Sequence, residues 1–213
     1  GHGPVTRAIL HATAHGVFEA YLNGNPISED GLSPGWSSYE WRLRYCSYDV
    51  TALLEPTSVL GIALGNGWFR GRLGWSGGRA LYGKELAALA QLEIEFSDGY
   101  VQTVVTDESW TAGPSAVMFN DLYDGQAIDA RRYSDTWLER GFSDEAWTGV
   151  HPAELDFNTP QTPGMLYSLS QSPRLLAASS TSGSHVPRSH TITVPPPYSP
   201  GGIVPSKSRY PSG

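Results

Sequence analysis

The stretch AALAQLEIEFSDGYVQTVVT, residues 87–106, decides the fold class. Leu92, Ile94 and Phe96 alternate with polar residues, and this period of two is typical of a strand with one buried face. The tripeptide Ser97-Asp98-Gly99 has the composition of a tight turn, and a second apolar-rich run follows it as far as Thr106. The stretch therefore predicts two antiparallel strands, Ala87 to Phe96 and Tyr100 to Thr106.

Short strands separated by turns are predicted over most of the chain before residue 150. Asn23-Gly24 favours a hairpin turn, because a type I′ turn needs a positive φ at both central residues. Short helical turns are predicted at Val50 to Leu54 and Ser143 to Trp147. The other strands are predicted at Val5 to Ala14, Val17 to Leu22, Arg42 to Val50, Ser58 to Leu64, Ala116 to Leu122 and Ala127 to Arg132. Many short strands predict an all-β sandwich or jelly roll.

The composition excludes several classes of protein. The chain has 213 residues, a net charge of -7 and no basic stripe, so a nucleic-acid partner is not expected. No apolar run approaches the roughly 20 residues of a membrane span. Cys46 is the single cysteine and cannot form an intrachain disulfide. No secretory signal is visible. We expect a soluble protein, and whether it is cytoplasmic or secreted is left open.

The C-terminal part differs in composition from the rest. Ten of the 16 prolines lie at or beyond Pro160, and no Asp or Glu follows Asp156. Such a Pro/Ser-rich segment lacks the apolar residues of a packed core. We therefore predict a β-sandwich domain over residues 5–155 and a low-complexity, disordered tail over residues 156–213.

A glycine-rich segment, GNGWFRGRLGWSGGRALYG at 65–83, is the candidate carbohydrate-binding surface. Glycines allow a ligand to approach the backbone closely, aromatic rings stack on the apolar face of a sugar, and arginines donate to hydroxyl groups. The alternative is that Trp68 and Trp75 pack against the sheet. The candidate carbohydrate-binding residues are Asn66, Trp68, Arg70, Trp75, Arg79, Tyr82 and, outside the segment, Tyr123.

A second candidate site lies in the segment NDLYDGQ, residues 120–126. Asn120, Asp121 and Asp124 offer oxygen atoms of the kind that Ca²⁺ prefers, so calcium is the candidate cofactor. The alternative is a turn in which these side chains accept hydrogen bonds from backbone amides.

No catalytic residue is predicted. A glycosidase needs two carboxyl groups about 5–9.5 Å apart, whereas Asp124 and Asp129 would lie on opposite faces of a regular strand. Whether the chain is part of an enzyme is left open, and we expect this chain alone to be inactive.

Four segments together resemble the N-terminal β-domain of bacterial α-L-rhamnosidases. They are residues 16–54, 61–99, 106–132 and 141–150, and the resemblance extends over about 5–155. It implies a galactose-binding-like jelly roll that precedes an (α/α)₆ catalytic barrel, which this chain lacks. It also implies that related modules bind L-rhamnose through a calcium ion.

Two functions follow as expectations. The first is a carbohydrate-binding accessory domain that recognises terminal L-rhamnose or a rhamnose-containing glycan, with calcium as the candidate cofactor. The alternative is a purely structural module that supports the catalytic barrel and has no ligand of its own. The catalytic domain is the expected protein partner under either function.

Overall fold

The structure is a computed structural model, and it describes residues 1–40, 42–75, 77–153, 176–178 and 186–193. The strands are β1 (Val5–His15), β2 (Val17–Leu22), β3 (Asn25–Pro26), β4 (Cys46–Asp49), β5 (Thr57–Gly65), β6 (Arg72–Leu73), β7 (Gly78–Arg79), β8 (Ala87–Phe96), β9 (Val101–Val105), β10 (Thr111–Ala112), β11 (Val117–Asp121), β12 (Gly125–Ile128), β13 (Thr148–Pro152), β14 (Leu176–Ala178) and β15 (Val186–Thr193). The helical elements are α1 (Gly67–Arg70) and 3₁₀ turns at Thr51–Leu53, Ala130–Arg132 and Thr136–Leu138.

The long strands form the two layers of a β-sandwich. One layer has the order β14-β8-β1-β4, with β9 also paired to β8, and the other has the order β3-β2-β5-β15-β10-β13. A β13–β14 pairing joins the layers at one side. The pairs β6–β7 and β11–β12 form separate small hairpins. The all-β sandwich predicted from the sequence is confirmed.

The core lies between the two layers and follows the alternation of the strands. Leu10 on β1 and Leu92 on β8 are paired neighbours that both face inward. Phe18 on β2 and Leu64 on β5 are the matching inward pair in the other layer. Trp110 is 1% exposed in the same core, and its indole N–H donates to the carbonyl of Val105 at 3.3 Å. A buried indole thus keeps a hydrogen-bond partner.

Gly16 carries the chain from one layer to the other. It separates β1 from β2 with a φ of 126°, a conformation that residues with a side chain rarely adopt. A side chain there would also collide with the carbonyl of Gly65. The crossing therefore requires glycine. After it, strand β2 pairs with β5 in the second layer.

The outer face of β5 is covered by large aromatic residues. Trp137 and Leu138 lie over Gly61, so closely that an added Cβ would be 2.5 Å from the Trp137 ring. Trp147 lies over Gly113 and contacts Trp137 with ring centroids 6.4 Å apart. Trp147 is therefore a half-buried residue of this outer cover, whereas Trp110 is fully buried in the core.

The predicted strand bounds agree best with the structure where apolar and polar residues alternate strongly. Strands β2 and β8 have the predicted bounds, and β1 extends one residue further than predicted. The strand predicted at Arg42 to Val50 is limited to Cys46–Asp49, because Leu43 leaves the strand and covers the outer face of β8 beside Leu89. Residues 143–147 form a hydrogen-bonded turn instead of the predicted helical turn.

Two segments of the predicted disordered tail are strands in the structure. Strand β15 lies between β5 and β10, and β14 pairs with β8 and β13. The structure differs from the prediction at these two strands. The other predicted tail residues beyond Ala153 lie outside the described residues. Among the described residues, no helix has the length and apolar character needed to cross a membrane.

Candidate ligand-binding surface

Asn66 attaches the glycine-rich segment to the β11–β12 hairpin. Its backbone N–H donates to Oδ1 of Asn120 at 2.8 Å, and its side-chain amide donates to the carbonyl of Asn120 at 2.7 Å. Asn66 is buried, and its Oδ1 has no hydrogen-bond partner among the described residues. Asn66, predicted as a carbohydrate-binding residue, thus joins two parts of the chain.

The most prominent aromatic feature is a pair of parallel indole rings, Trp36 and Trp68, called here the tryptophan pair. Their centroids are 6.3 Å apart and their planes differ by 2°. Trp36 is 50% exposed, and its indole N–H donates to the hydroxyl of Tyr82 at 3.3 Å. The structure therefore brings the predicted residues Trp68 and Tyr82 together with Trp36, which was not predicted. No periodicity marks Trp36, because it lies in a loop.

Buried Phe69 and half-buried His15 and Tyr39 pack in series behind Tyr82, the hydrogen-bond partner of Trp36. Phe69 stacks on the imidazole of His15 with centroids 4.4 Å apart, and Tyr39 contacts both Phe69 and Tyr82. Burial lowers the pKa of His15 to about 4. Burial, together with the nearby Tyr82, raises the pKa of Tyr39 to about 12. Both side chains are therefore uncharged at neutral pH, so they add no charge next to the apolar surface.

Trp75 and Arg70 do not join the tryptophan pair. Trp75 is fully exposed between β6 and β7, and the structure gives it no ring contact within the described residues. Arg70 is half-buried at the end of α1, where its carbonyl accepts a hydrogen bond from Ala80. The predicted set of carbohydrate-binding residues is thus distributed over several surfaces.

Arg72, Arg79, Asp121 and Asp124 form an arginine–aspartate network that joins the β6–β7 and β11–β12 hairpins. Arg79 pairs with Asp121 at 2.7 Å and also with Asp124. Arg72 pairs with Asp124 at 2.9 Å. Two cation–π contacts add to the network: the Arg72 guanidinium lies 4.9 Å from the centre of the Tyr123 ring, and Arg79 lies 5.6 Å from that of Phe119. Tyr123 is more than half exposed on its other side.

The carboxylate of Asp121 is fully used by donors of the same chain. Its Oδ1 accepts the backbone N–H groups of Tyr123 and Asp124, at 2.9 and 3.2 Å. Its Oδ2 accepts the N–H of Arg72 at 2.8 Å and the guanidinium of Arg79. Burial alone would raise the pKa of Asp121, but these backbone donors and Arg79 bring it below its ordinary value.

This donor set does not fit a calcium ion in the geometry described. Asp121 and Asp124 face arginines, and Oδ1 of Asn120 accepts the N–H of Asn66. In the part of the chain that the structure describes, no three His, Cys, Asp or Glu side chains group as metal ligands. The arrangement matches the alternative in which the acidic side chains accept hydrogen bonds in a turn.

A cavity of about 380 Å³ lies beside the β11–β12 hairpin, on the outer face of β2 and β5, and is called here the hairpin cavity. Its lining includes apolar side chains from β2 and the loop after β3, and polar side chains from the hairpin. Residues that line it include Val17, Glu19, Leu32, Asn120, Leu122 and Gln126. Asn120 and Asp121, predicted as metal ligands, are therefore part of its wall.

Residues 3–165 match the protein family described as the alpha-L-rhamnosidase N-terminal domain. The chain belongs to this family. The α-L-rhamnosidase N-terminal domain is also similar to curated enzymes named alpha-L-rhamnosidase. The protein from Streptomyces avermitilis is 39% identical over 156 residues, which are 73% of this chain and 15% of that protein. One from Formosa agariphila is 34% identical over 150 residues, which are 68% and 16% of the two chains.

Solved structures support the same family. The Streptomyces avermitilis alpha-L-rhamnosidase complexed with L-rhamnose superposes with a TM-score of 0.69 at 39% identity, over 73% of this chain and 15% of that one. The enzyme from Aspergillus terreus has a TM-score of 0.69 at 34% identity, over 72% and 18%. This rhamnosidase N-terminal domain thus spans less than a fifth of the relatives that it matches.

Proposed function

We propose that this rhamnosidase N-terminal domain is a carbohydrate-binding accessory domain that recognises terminal L-rhamnose or a related glycan. The observation that carries the proposal is the tryptophan pair, with the half-exposed Trp36 ring beside the Tyr82 hydroxyl. An exposed indole offers a flat apolar face to the C–H groups of a sugar ring, and the phenol at its edge can exchange hydrogen bonds with ring hydroxyls.

Two further observations support this function. The aromatic residues packed behind Tyr82 are uncharged and in contact with one another, so this part of the surface is formed before a ligand arrives, which lowers the entropic cost of binding. A structural relative from Streptomyces avermitilis has been solved in complex with L-rhamnose.

Use of a calcium ion by this domain would require a rearrangement of the arginine–aspartate network. A calcium ion could use Asp121 and Asp124 only after Arg79 had left both carboxylates, because the guanidinium occupies the position of a cation. We therefore expect rhamnose binding at the tryptophan pair to persist when calcium is removed.

Calorimetric titration of L-rhamnose tests the proposal, with calcium in one series and a chelator in the other. We expect Trp36→Ala to weaken binding at least tenfold, because the substitution removes the stacking face. Tyr100→Ala, which removes a partly exposed aromatic residue on the β8–β9 hairpin, is the matched control and should bind like the unmodified domain. Equal heats for the unmodified domain and Trp36→Ala would contradict the proposal.

A second candidate function is mechanical support of a catalytic domain. Met118, Tyr123 and Ile128 on or beside the β11–β12 hairpin are exposed apolar or aromatic residues, as is Tyr133. Grouped exposed apolar residues often mark a protein–protein contact. Because related enzymes are about six times longer than their matched segment, the partner proposed for this surface is the remainder of an α-L-rhamnosidase.

A further inference from the structure

The hairpin cavity has a floor made by strand pairing. Val17 pairs with Gly65 and Glu19 pairs with Ala63, and both pairs face away from the core because Phe18 and Leu64 between them face inward. Gly65 and Ala63 add almost no side-chain volume to this face. The cavity of about 380 Å³ is therefore a consequence of small residues on β5 opposite larger residues on β2.

The charge of the cavity lining is negative. Glu19 and Asp121 are the acidic residues of the lining, and the lining includes no Lys, Arg or His among the described residues. Asp121 is neutralised by Arg79, whereas the described partner of the Glu19 carboxylate is the Tyr21 hydroxyl, which donates at 2.7 Å. The Glu19 charge is thus the one that a ligand in the cavity would meet. An ionised carboxylate accepts hydrogen bonds and repels anions.

The opposite side of the cavity presents an apolar rim held in an unusual backbone conformation. Leu32 is 46% exposed and has a φ of 60°, in the left-handed region that bulky residues seldom adopt. The conformation is fixed on both sides of the residue, because Phe18 donates to the carbonyl of Ser33 at 2.7 Å and Gly35 donates to that of Leu32 at 2.9 Å. Backbone strain of this kind occurs preferentially where a side chain is positioned for a ligand.

The third wall of the hairpin cavity is held in place by contacts with other segments of the chain. The β11–β12 hairpin contributes Asn120, Leu122 and Gln126, and the arginine–aspartate network ties this hairpin to β6–β7. Asn66 adds two hydrogen bonds to Asn120. A fixed wall reduces the ordering cost of binding a small ligand.

We infer that the hairpin cavity is a second binding pocket, for a neutral polyhydroxylated ring, and that Glu19 is the residue that excludes acidic sugars. The ring's apolar face lies against Leu32, Val17 and Leu122, and its hydroxyl groups donate to the carboxylate of Glu19 and exchange hydrogen bonds with the amide of Gln126. Neither Trp36 nor Trp68 lines this pocket, and the inference does not rest on the function proposed for the tryptophan pair.

Methyl-resolved NMR of the full chain tests the inference. Methyl α-L-rhamnoside at millimolar concentration should shift the methyl signals of Val17, Leu32 and Leu122, and D-galacturonate at the same concentration should not. Indole signals of Trp36 and Trp68 report the other surface in the same spectra. Indole signals that stay unchanged while these methyl signals shift would reject the first function and leave the second pocket standing.

Two variants make the assignment specific. Glu19→Gln should raise the affinity for D-galacturonate by roughly tenfold, because it removes a charge repulsion of that order, and should leave the folded spectrum intact. Leu32→Gly should weaken methyl α-L-rhamnoside binding several-fold without lowering the melting temperature, because glycine adopts the left-handed conformation without strain.

Three outcomes would overturn the inference. The first is an absence of methyl shifts with the neutral rhamnoside. The second is an equal response to D-galacturonate in the unmodified chain and in Glu19→Gln. The third is a response to n-butylammonium in place of the rhamnoside, which would make the cavity a receptor for a cationic side chain.

Discussion

At the scale of single residues, the carboxylate of Asp121 joins two parts of the chain that are far apart in sequence. Its side chain is 0% exposed and is paired with Arg79. A buried charge is expensive unless its partners are complete, so removing the charge leaves the buried donors around it poorly satisfied. The same carboxylate shapes the hairpin cavity and connects it to the glycine-rich segment.

We expect Asp121→Asn to lower the free energy of unfolding by about 2 kcal/mol, because it removes a charge-assisted hydrogen bond within a buried network. Asp124→Asn, whose side chain is 34% exposed, is the matched control. Its cost should stay below about 1 kcal/mol, as is usual for partly exposed ion pairs. Urea denaturation at pH 7 measures both, and equal costs for the two variants would contradict the role given to Asp121.

The lowered pKa of Asp121 also predicts a response to acid. A carboxyl whose pKa is lower in the folded than in the unfolded state stabilises the fold above the unfolded pKa of about 3.9. This contribution is lost as the pH falls through the lower, folded pKa. The stability difference between the unmodified domain and Asp121→Asn should therefore shrink below about pH 4.

The lowered pKa of His15 predicts a separate loss of stability on acidification, which begins at a higher pH than the loss from Asp121. Its pKa is about 4 in the folded protein because of burial, against about 6.5 when unfolded, so the unfolded state binds the proton first. The folded state is fully favoured above about pH 6.5 and loses about 1.4 kcal/mol per pH unit below it, or roughly 3 kcal/mol by pH 4.

Replacement of His15 by phenylalanine should remove most of this loss and keep the stacking on Phe69. His11→Gln changes a histidine that lies on the same strand and contacts Ser47, and it serves as the control that should retain the loss. Urea denaturation between pH 7.5 and 4.5 measures how the free energy of unfolding of each variant depends on pH. A His15→Phe domain that loses stability as steeply as the control would refute the assignment.

The sequence predicted the types of residue at the candidate sites better than their arrangement. Trp68 and Tyr82 are together as expected, but their companion Trp36 comes from a loop with no regular pattern. Asp121 and Asp124 have the composition of a calcium site, yet their partners Arg72 and Arg79 lie more than 40 residues away in the chain. Local spacing carries no information about such distant partners.

At the scale of elements, alternation and turn chemistry predicted the regular strands well. The hairpin turn after β2 has φ values of 51° at Asn23 and 80° at Gly24, as a type I′ turn requires. Elements of two residues, such as β6 and β7, are too short to produce a periodic pattern. Leu43 was misassigned to a strand because a loop residue that covers a sheet is as apolar as a strand residue.

The covered face of β5 gives a prediction at this scale. An alanine at position 61 would place its Cβ 2.5 Å from the Trp137 ring and 2.6 Å from a methyl group of Leu138. We expect Gly61→Ala to lower the free energy of unfolding by about 1–3 kcal/mol through overpacking. The control Gly149→Ala adds a methyl group to β13 where no atom lies within 4 Å.

Thermal unfolding of both variants measures the difference. The control should change the stability by less than about 0.5 kcal/mol. If Gly61→Ala were as stable as Gly149→Ala, the 3₁₀ turn at Thr136–Leu138 could not be packed on β5 as described.

At the scale of the whole molecule, the sandwich depends on pairings between distant segments. Strand β1 pairs with β8 about 80 residues later, and β2 pairs with β5. The rule that two strands joined by a tight turn pair with each other therefore does not give the order of strands in the sheets. The strand pattern left a sandwich and a jelly roll open, and the galactose-binding-like jelly roll followed from the resemblance of four segments to a known family, which the family match over residues 3–165 supports. Patterning alone predicted the class but not the topology.

The surface around the β11–β12 hairpin gives the last prediction, which concerns the rest of an α-L-rhamnosidase. In a chimera, this domain replaces the matching 156-residue segment of the Streptomyces avermitilis enzyme. If the exposed residues Ile128 and Tyr133 pack on the remainder of the enzyme, a double substitution to lysine buries two charges at that contact. We expect the double variant to separate the unfolding of the domain from that of the remainder in calorimetry.

The chimera without these substitutions should unfold in one cooperative transition, because domains that share a large apolar contact stabilise each other. A second double variant, Ser143→Lys with Glu145→Lys, adds lysines at exposed positions outside the hairpin and should keep the single transition. Rhamnose titration of the isolated domain should be the same for both variants, because neither pair of positions belongs to the tryptophan pair. A chimera that keeps one transition with Ile128→Lys and Tyr133→Lys would remove the support for docking through this face and leave sugar binding as the function to be tested.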